Sequence, residues 1–101
     1  MRSKFGNKHS GGFHSKKEHR RAEELTLLHK VGAISRLEFQ KKFEVIPKQD
    51  GERAAHYIAD FAYVEVDGTE VVEDSKGFKT PDYILKRKLM LKVHGIRVRE
   101  T

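Results

Sequence analysis

Two runs that favour extended backbone flank one tight-turn signal near the middle of this chain, and together they commit that region to a β-hairpin. Ala55 to Val66 is rich in aromatic and β-branched residues, Glu70 to Lys76 follows it, and Asp67-Gly68 lies between them. An Asp-Gly pair between two such runs is a strong local hairpin signal. Each arm carries an acid: Asp60 in the first, and Asp74 of Asp74-Ser75-Lys76 in the second. A two-residue turn would pair Val66 with Thr69 and set Asp60 opposite Ser75. A three-residue loop with Gly68 left-handed would pair Glu65 with Thr69 and set Asp60 opposite Asp74. A bulge could have the same effect, and the sequence permits either register. In the second, two carboxylates and an ammonium share one sheet face, a set able to hold a divalent cation. The acid-x-Lys triplet alone means little, since a chain with this many acids and lysines holds on the order of two by chance. Its place on a hairpin arm gives it weight.

Elements on both sides of the hairpin complete an α-β-β-β-α-β order. Ser15 followed by Glu18 makes a capping-box pattern, and Ala22, Leu25, Leu28 and Val31 recur at helical spacing up to Gly32. Leu37 to Ile46 reads as a strand, with Leu37, Phe39, Phe43 and Val45 on one parity, and residues 48–53 as a turn. Thr80-Pro81 opens a second helix, whose apolar side is Ile84, Leu85, Leu89, Leu91 and Val93. His94-Gly95 stops it, and residues 96–99 alternate as a short last strand. The expected fold is α+β: a mixed four-stranded sheet flanked by two helices. Residues 1–14 are rich in Gly, Ser, Lys and His without a period and read as a basic arm, leaving a single domain over residues 15–101.

Composition narrows the partners. The formal net charge is +6, which favours polyanions, nucleic acid before an anionic membrane. No apolar run is long enough for a membrane span, and no apolar stretch follows the basic N-terminus as a secretory signal would require. Cysteine is absent, which excludes disulfides, thiolate zinc sites and cysteine nucleophiles and fits a reducing, cytoplasmic setting. A chain of 101 residues buries roughly 60–65% of its unfolded surface, so self-association through a sheet edge or a helix would help, and a homodimer is expected.

The charged positions divide by face. Glu18 shares a helix face with Ala22, Leu25 and Leu28, so it points toward the sheet as well as serving as the capping partner of Ser15. Asp60 interrupts an apolar-aromatic strand, where an unpaired carboxylate costs several kcal/mol unless a cation or lysine meets it. Asp74 and Lys76 share a face, and Glu73 points to the other, where it is expected to be solvated. His9, His14 and His19 lie five apart, a poor interval for one helix face, and His56 reads as a partly buried structural histidine. Lys86, Arg87, Lys88 and Lys92 make the second helix a candidate phosphate-contact surface.

A helix with an inward Glu, then three strands bearing Asp and an acid-x-Lys triplet, then a helix and a strand, resembles the core of the PD-(D/E)XK nuclease superfamily. The resembling stretches are residues 15–18, residues 37–40 (Leu-Glu-Phe-Gln), residues 57–61 around Asp60 and residues 72–80 around Asp74-Ser75-Lys76. More narrowly the chain looks like a small phage-encoded family within it, and the same core occurs in archaeal Holliday-junction resolvases, which are dimers. The resemblance implies that Asp60 and Asp74 ligate Mg²⁺ or Mn²⁺ and that the Ser75 carbonyl can add a ligand. It gives Glu18 a water or a second ion to hold, Lys76 the attacking water to orient, and Gln40 a supporting place. The chain departs from the pattern in having Ala59 where the family has proline, and Asp rather than Glu at the head of the triplet. The literal Pro81-Asp82 has no triplet after it and fits a helix start.

On this reading the expected activity is metal-dependent endonucleolytic hydrolysis of double-stranded or branched DNA, in phage DNA metabolism in a host cytoplasm. A non-catalytic DNA-binding module with the same fold and a basic RNA-associated protein are the rivals. The latter would not need Asp60 and Asp74 on one face.

Overall fold

The computed structural model describes residues 15–101. It contains α1 (Lys16–Lys30), β1 (Ile34–Ile46), β2 (Ala55–Glu65), β3 (Glu70–Asp74), α2 (Pro81–Leu89) continuing as a π-helical turn (Met90–His94), and β4 (Arg99–Glu100). The strands form one mixed sheet in the order β1-β2-β3-β4, antiparallel except for the parallel β3–β4 pair. The chain is therefore α+β with the element order expected from its sequence. The proposed arm, with His9 and His14, lies outside the described residues.

Local signals account for the boundaries. The Ser15 side chain accepts from the Glu18 N–H at 3.0 Å, and Thr80 accepts from the Tyr83 N–H at 3.1 Å with Pro81 beginning the helix. Gly95, at φ +69°, ends the π-helical turn in the left-handed conformation that glycine adopts at little cost.

The hairpin takes the three-residue register. Glu65 N–H donates to Thr69 O at 2.9 Å, Gly68 N–H donates to Glu65 O at 2.8 Å, and Gly68 has φ +92°. Pairing then runs Val64–Glu70, Tyr63–Val71, Ala62–Val72 and Phe61–Glu73, so the next positions in line are Asp60 and Asp74. β3 stops at Asp74 rather than Lys76 because the Ser75 N–H is taken by the Asp60 carboxylate instead of a ladder carbonyl.

The helices cover opposite faces. Ala22 and Leu25 of α1 pack with Ile34, Phe61, Tyr63 and Val71. Tyr83 and Met90 pack with Val45, Tyr57, Ala59, Ala62, Val72 and Val98. Tyr57 and Phe61 have the same parity yet serve different faces, so β2 changes face between them. Register puts Gln40 opposite Asp60 within this stretch, and Gln40 has φ +54°, outside extended backbone. The departure of Gln40 from extended geometry thus lies directly across from the change of face.

Several expectations need correction. Leu28 and Val31 are exposed, because α1 buries only Glu18, Ala22 and Leu25 and so packs through its N-terminal part. Leu85, Leu91 and Val93 are exposed as well. The buried stripe is Tyr83 and Met90, and the wider π-turn shifts the phase of the residues after Met90. β1 starts at Ile34 rather than Leu37, with Ile34 buried under α1 and a register shift between Ser35 and Glu38. The last strand lies at Arg99–Glu100, later than residues 96–99, because β3 offers it only Glu73 and Asp74 as partners.

Glu73 is the largest correction. It points away from Asp74, as expected, but it is fully buried under α1 instead of solvated. Arg21 grips it with two hydrogen bonds, Nε to Oε1 at 2.8 Å and Nη2 to Oε2 at 2.7 Å, and the Tyr63 hydroxyl also donates to Oε2. Burial pushes the Glu73 carboxyl up, but Arg21 and Tyr63 outweigh it and hold it below the usual range.

Candidate functional site

The site lies where β2 changes face and β3 ends. Asp60 and Asp74 occupy facing positions on neighbouring strands, and both are buried. Asp60 Oδ2 accepts from the Ser75 N–H at 2.8 Å, and Asp74 Oδ2 accepts from the Tyr57 hydroxyl. Lys76 Nζ lies 3.2 Å from Asp74 Oδ1, although that oxygen is buried without a hydrogen bond of good geometry. Lys76 also sits over the Tyr83 ring, 4.9 Å from its centroid.

Electrostatics follow from this crowding. Burial pushes the Asp74 carboxyl up to about 6, and the Asp60 carboxyl beside it pushes the same way; the Tyr57 hydroxyl and Lys76 pull against them. The Tyr57 hydroxyl is itself pushed well above its ordinary value by burial and by Asp74. Two adjoining buried carboxylates, one of them raised and with an oxygen lacking a good donor, suit a hard divalent cation with oxygen ligands. The residues thus fit Mg²⁺ or Mn²⁺.

Glu18 and Gln40 approach from the α1 side. Glu18 is buried as expected, and its Oε2 accepts from Gln40 Nε2 at 3.3 Å. Gln40 stands opposite Asp60 in the register, which puts the Glu18–Gln40 pair at the same level of the sheet as Asp60. Among the described residues, no group of three or more Asp, Glu or His side chains is gathered as a metal site. The structure therefore brings together Asp60, Asp74, Ser75 and Lys76, and keeps Glu18 with Gln40.

The basic residues of α2 are partly engaged. Arg87 Nη1 is 2.8 Å from Glu100 Oε2, and Lys86 Nζ is 3.7 Å from Asp82 Oδ2; Lys88 and Lys92 are exposed. Glu100 also accepts from the Tyr83 hydroxyl at 2.7 Å and lies 3.4 Å from Lys79 Nζ. The Tyr83 and Arg87 hydrogen bonds hold its carboxyl down to about 2. Thr101 closes the site's rim: its N–H donates to Asp74 O at 3.0 Å, and its Oγ1 lies 3.1 Å from Ser75 Oγ.

Sequence reasoning missed Tyr57, Tyr83, Glu100 and Thr101. Strict strand alternation puts Tyr57 on the face away from Asp74, and only the change of face at Asp60 brings its hydroxyl there. For Tyr83, the Thr80-Pro81 helix start three residues earlier was an available signal.

A family model described as "Protein of unknown function (DUF1064)" matches residues 2–100, and the chain belongs to that family. No curated protein and no solved structure matches the chain. Among the described residues, no helix is long and apolar enough to cross a membrane.

Proposed function

We propose that this chain is a metal-dependent DNA endonuclease on the PD-(D/E)XK plan, acting on double-stranded or branched DNA. The observation that carries the reading is the placement of Lys76 3.2 Å from Asp74, beside Asp60, at the end of the central hairpin of an αβββαβ fold. Asp60 and Asp74 would hold Mg²⁺ or Mn²⁺, with the Ser75 carbonyl and Glu18 as further candidate ligands. A cation bound there would polarise the phosphodiester and offset charge developing on its oxygens.

The chain's own groups have separable tasks. Lys76, held between Asp74 and the Tyr83 ring, would orient the water that attacks phosphorus in line with the leaving oxygen. Tyr57 fixes the Asp74 carboxylate by donating to Oδ2, and the Ser75 N–H fixes Asp60. Gln40 holds Glu18 near the same strand position. The phage setting and host-cytoplasm location that accompany the resemblance belong to this proposal.

Lys76→Ala tests the assignment. Cleavage should fall roughly 10²–10⁴-fold, the range for a positioned acid–base group, while Mn²⁺ binding measured by calorimetry persists. A normal cleavage rate would leave the Asp74–Lys76 contact as an ion pair of small energetic value and favour the binding-module reading.

DNA contact through α2 has its own test. Replacing Lys86, Arg87 and Lys88 together by Ala should weaken binding and reduce the salt slope, log K against log salt, by about 2. The expected loss is below three phosphate contacts because Glu100 already neutralises part of Arg87. An unchanged slope would move the DNA surface elsewhere.

A further inference from the structure

Among the described residues, helix α1 has a solvent-facing side that neither the fold nor the proposed site uses. Leu27 is 61% exposed and Val31 68%, and Leu27 borders a groove with a volume of about 450 Å³ whose wall includes Ala22, Thr26 and Phe39. Phe39, from β1, is itself 42% exposed. Charge is arranged in order along this side. Glu23 and Glu24 lie four and three residues before Leu27, and Lys30 lies three residues after it. Glu23 and Lys30 also line the groove.

That order is self-complementary. If two copies of α1 pack antiparallel about a two-fold axis near Leu27, the acids of each copy face the lysine of the other. The offsets of three and four residues correspond to about 4.5–6 Å along a helix on both sides of the axis. A parallel arrangement would instead set acids against acids. Existing partners do not prevent this: His19 lies 3.5 Å from Glu23 and Arg21 lies 3.0 Å from Glu24, and both contacts are within the same helix. An isologous pair also covers Leu27 of α1 and Val31 at its C-cap, both well exposed, in one contact.

We propose that this face of α1 is the interface of a homodimer, with two copies antiparallel about Leu27, the groove walls flanking the contact and Glu23/Glu24–Lys30 pairs on either side. The proposal does not depend on catalysis, because its readout is association. It gives the expected self-association a definite surface, on a helix and not on a sheet edge.

The chain has no cysteine, so Leu27→Cys places a single thiol next to the proposed axis. Mild oxidation with copper–phenanthroline at micromolar protein should convert most of the chain to a covalent dimer, whereas a cysteine replacing exposed Lys48 should not cross-link. Sedimentation of the unmodified full chain should show a dimer, and Leu27→Lys should shift it to monomer with an unchanged circular-dichroism spectrum. Lys30→Glu should weaken the dimer at least tenfold, and combining it with Glu23→Lys and Glu24→Lys should restore it. A strict monomer up to 100 µM, a dimer indifferent to Leu27→Lys, or cross-linking at Lys48→Cys in place of Leu27→Cys would overturn the proposal. A monomer that loses solubility only when α1 is altered would show that another part of the chain covers this face, and it would overturn the proposal equally.

Discussion

Asp74→Asn is expected to abolish cleavage and, at the same time, to make the metal-free protein more stable at neutral pH. The first effect follows from removing a candidate cation ligand and one negative charge while keeping the side chain's shape. The second follows from the raised Asp74 carboxyl, at about 6 in the folded chain against about 4 unfolded. A carboxyl raised in the folded state contributes stability that is fully present below about 4 and is lost as pH rises through about 6. At pH 7.5 in EDTA the wild-type chain therefore carries a penalty that the amide lacks. A two-unit shift corresponds to about 3 kcal/mol, and solvent screening reduces it to about 1–2 kcal/mol. The variant should melt roughly 5–10 °C higher than wild type in EDTA at pH 7.5, with the difference vanishing by pH 4. The comparison isolates Asp74 from Glu73 and Glu100, whose lowered carboxyls act with opposite sign and in a more acidic window. DNA affinity in EDTA should be equal or higher, since one charge repelling phosphate is gone. Saturating Mn²⁺ should raise the melting temperature of wild type much more than that of the variant. Equal melting curves at pH 7.5 would mean that burial does not raise the Asp74 carboxyl in the folded chain.

Arg21→Ala should be strongly destabilising on the opposite face of the sheet. It strips a fully buried Glu73 of both guanidinium hydrogen bonds and leaves it the Tyr63 hydroxyl as a donor. Removing one member of a buried pair costs about 3–5 kcal/mol, and the partial exposure of Arg21 argues for about 3. Glu73→Gln, which removes the charge but keeps a hydrogen-bonding side chain, should cost less. Urea unfolding measures both. A loss below about 1 kcal/mol for Arg21→Ala would show that Glu73 finds solvent or another donor. Because Glu73 and Asp74 are neighbours on β3, Arg21 also steadies the strand that carries the proposed site.

The architecture was readable wherever one residue's chemistry decides one local conformation. Ser15, Thr80-Pro81, Gly68 and Gly95 mark helix starts, a turn and a helix end by caps, a fixed φ or left-handed backbone, and the structure uses each in that role. The register was narrowed to two choices, and the left-handed Gly68 with the Glu65–Thr69 pair selected the one that aligns Asp60 with Asp74. Long-range effects were not readable. Glu73 looked solvated because no local pattern reveals that Arg21, 52 residues away, reaches it. Tyr57 was not legible as a partner of Asp74, because strict alternation puts it on the other face and β2 changes face between Tyr57 and Phe61. The apolar spacing of α1 overstated its contact with the sheet, since periodicity shows which face is apolar and not how far a partner extends along it. Leu28 and Val31 belong to that surplus, and Val31 with Leu27 forms the proposed dimer surface.

The central claim is that Asp60, Asp74 and Lys76 form a metal-dependent phosphodiester-cleaving site. The direct measurement is cleavage of supercoiled plasmid, linear, flapped and four-way-junction DNA by the purified full chain with Mg²⁺ or Mn²⁺, against EDTA, with Asp74→Asn run in parallel. The account predicts strand scission with metal, none in EDTA and none by the variant. No cleavage of any substrate by a chain shown to bind Mn²⁺, or equal cleavage by wild type and Asp74→Asn, would contradict it.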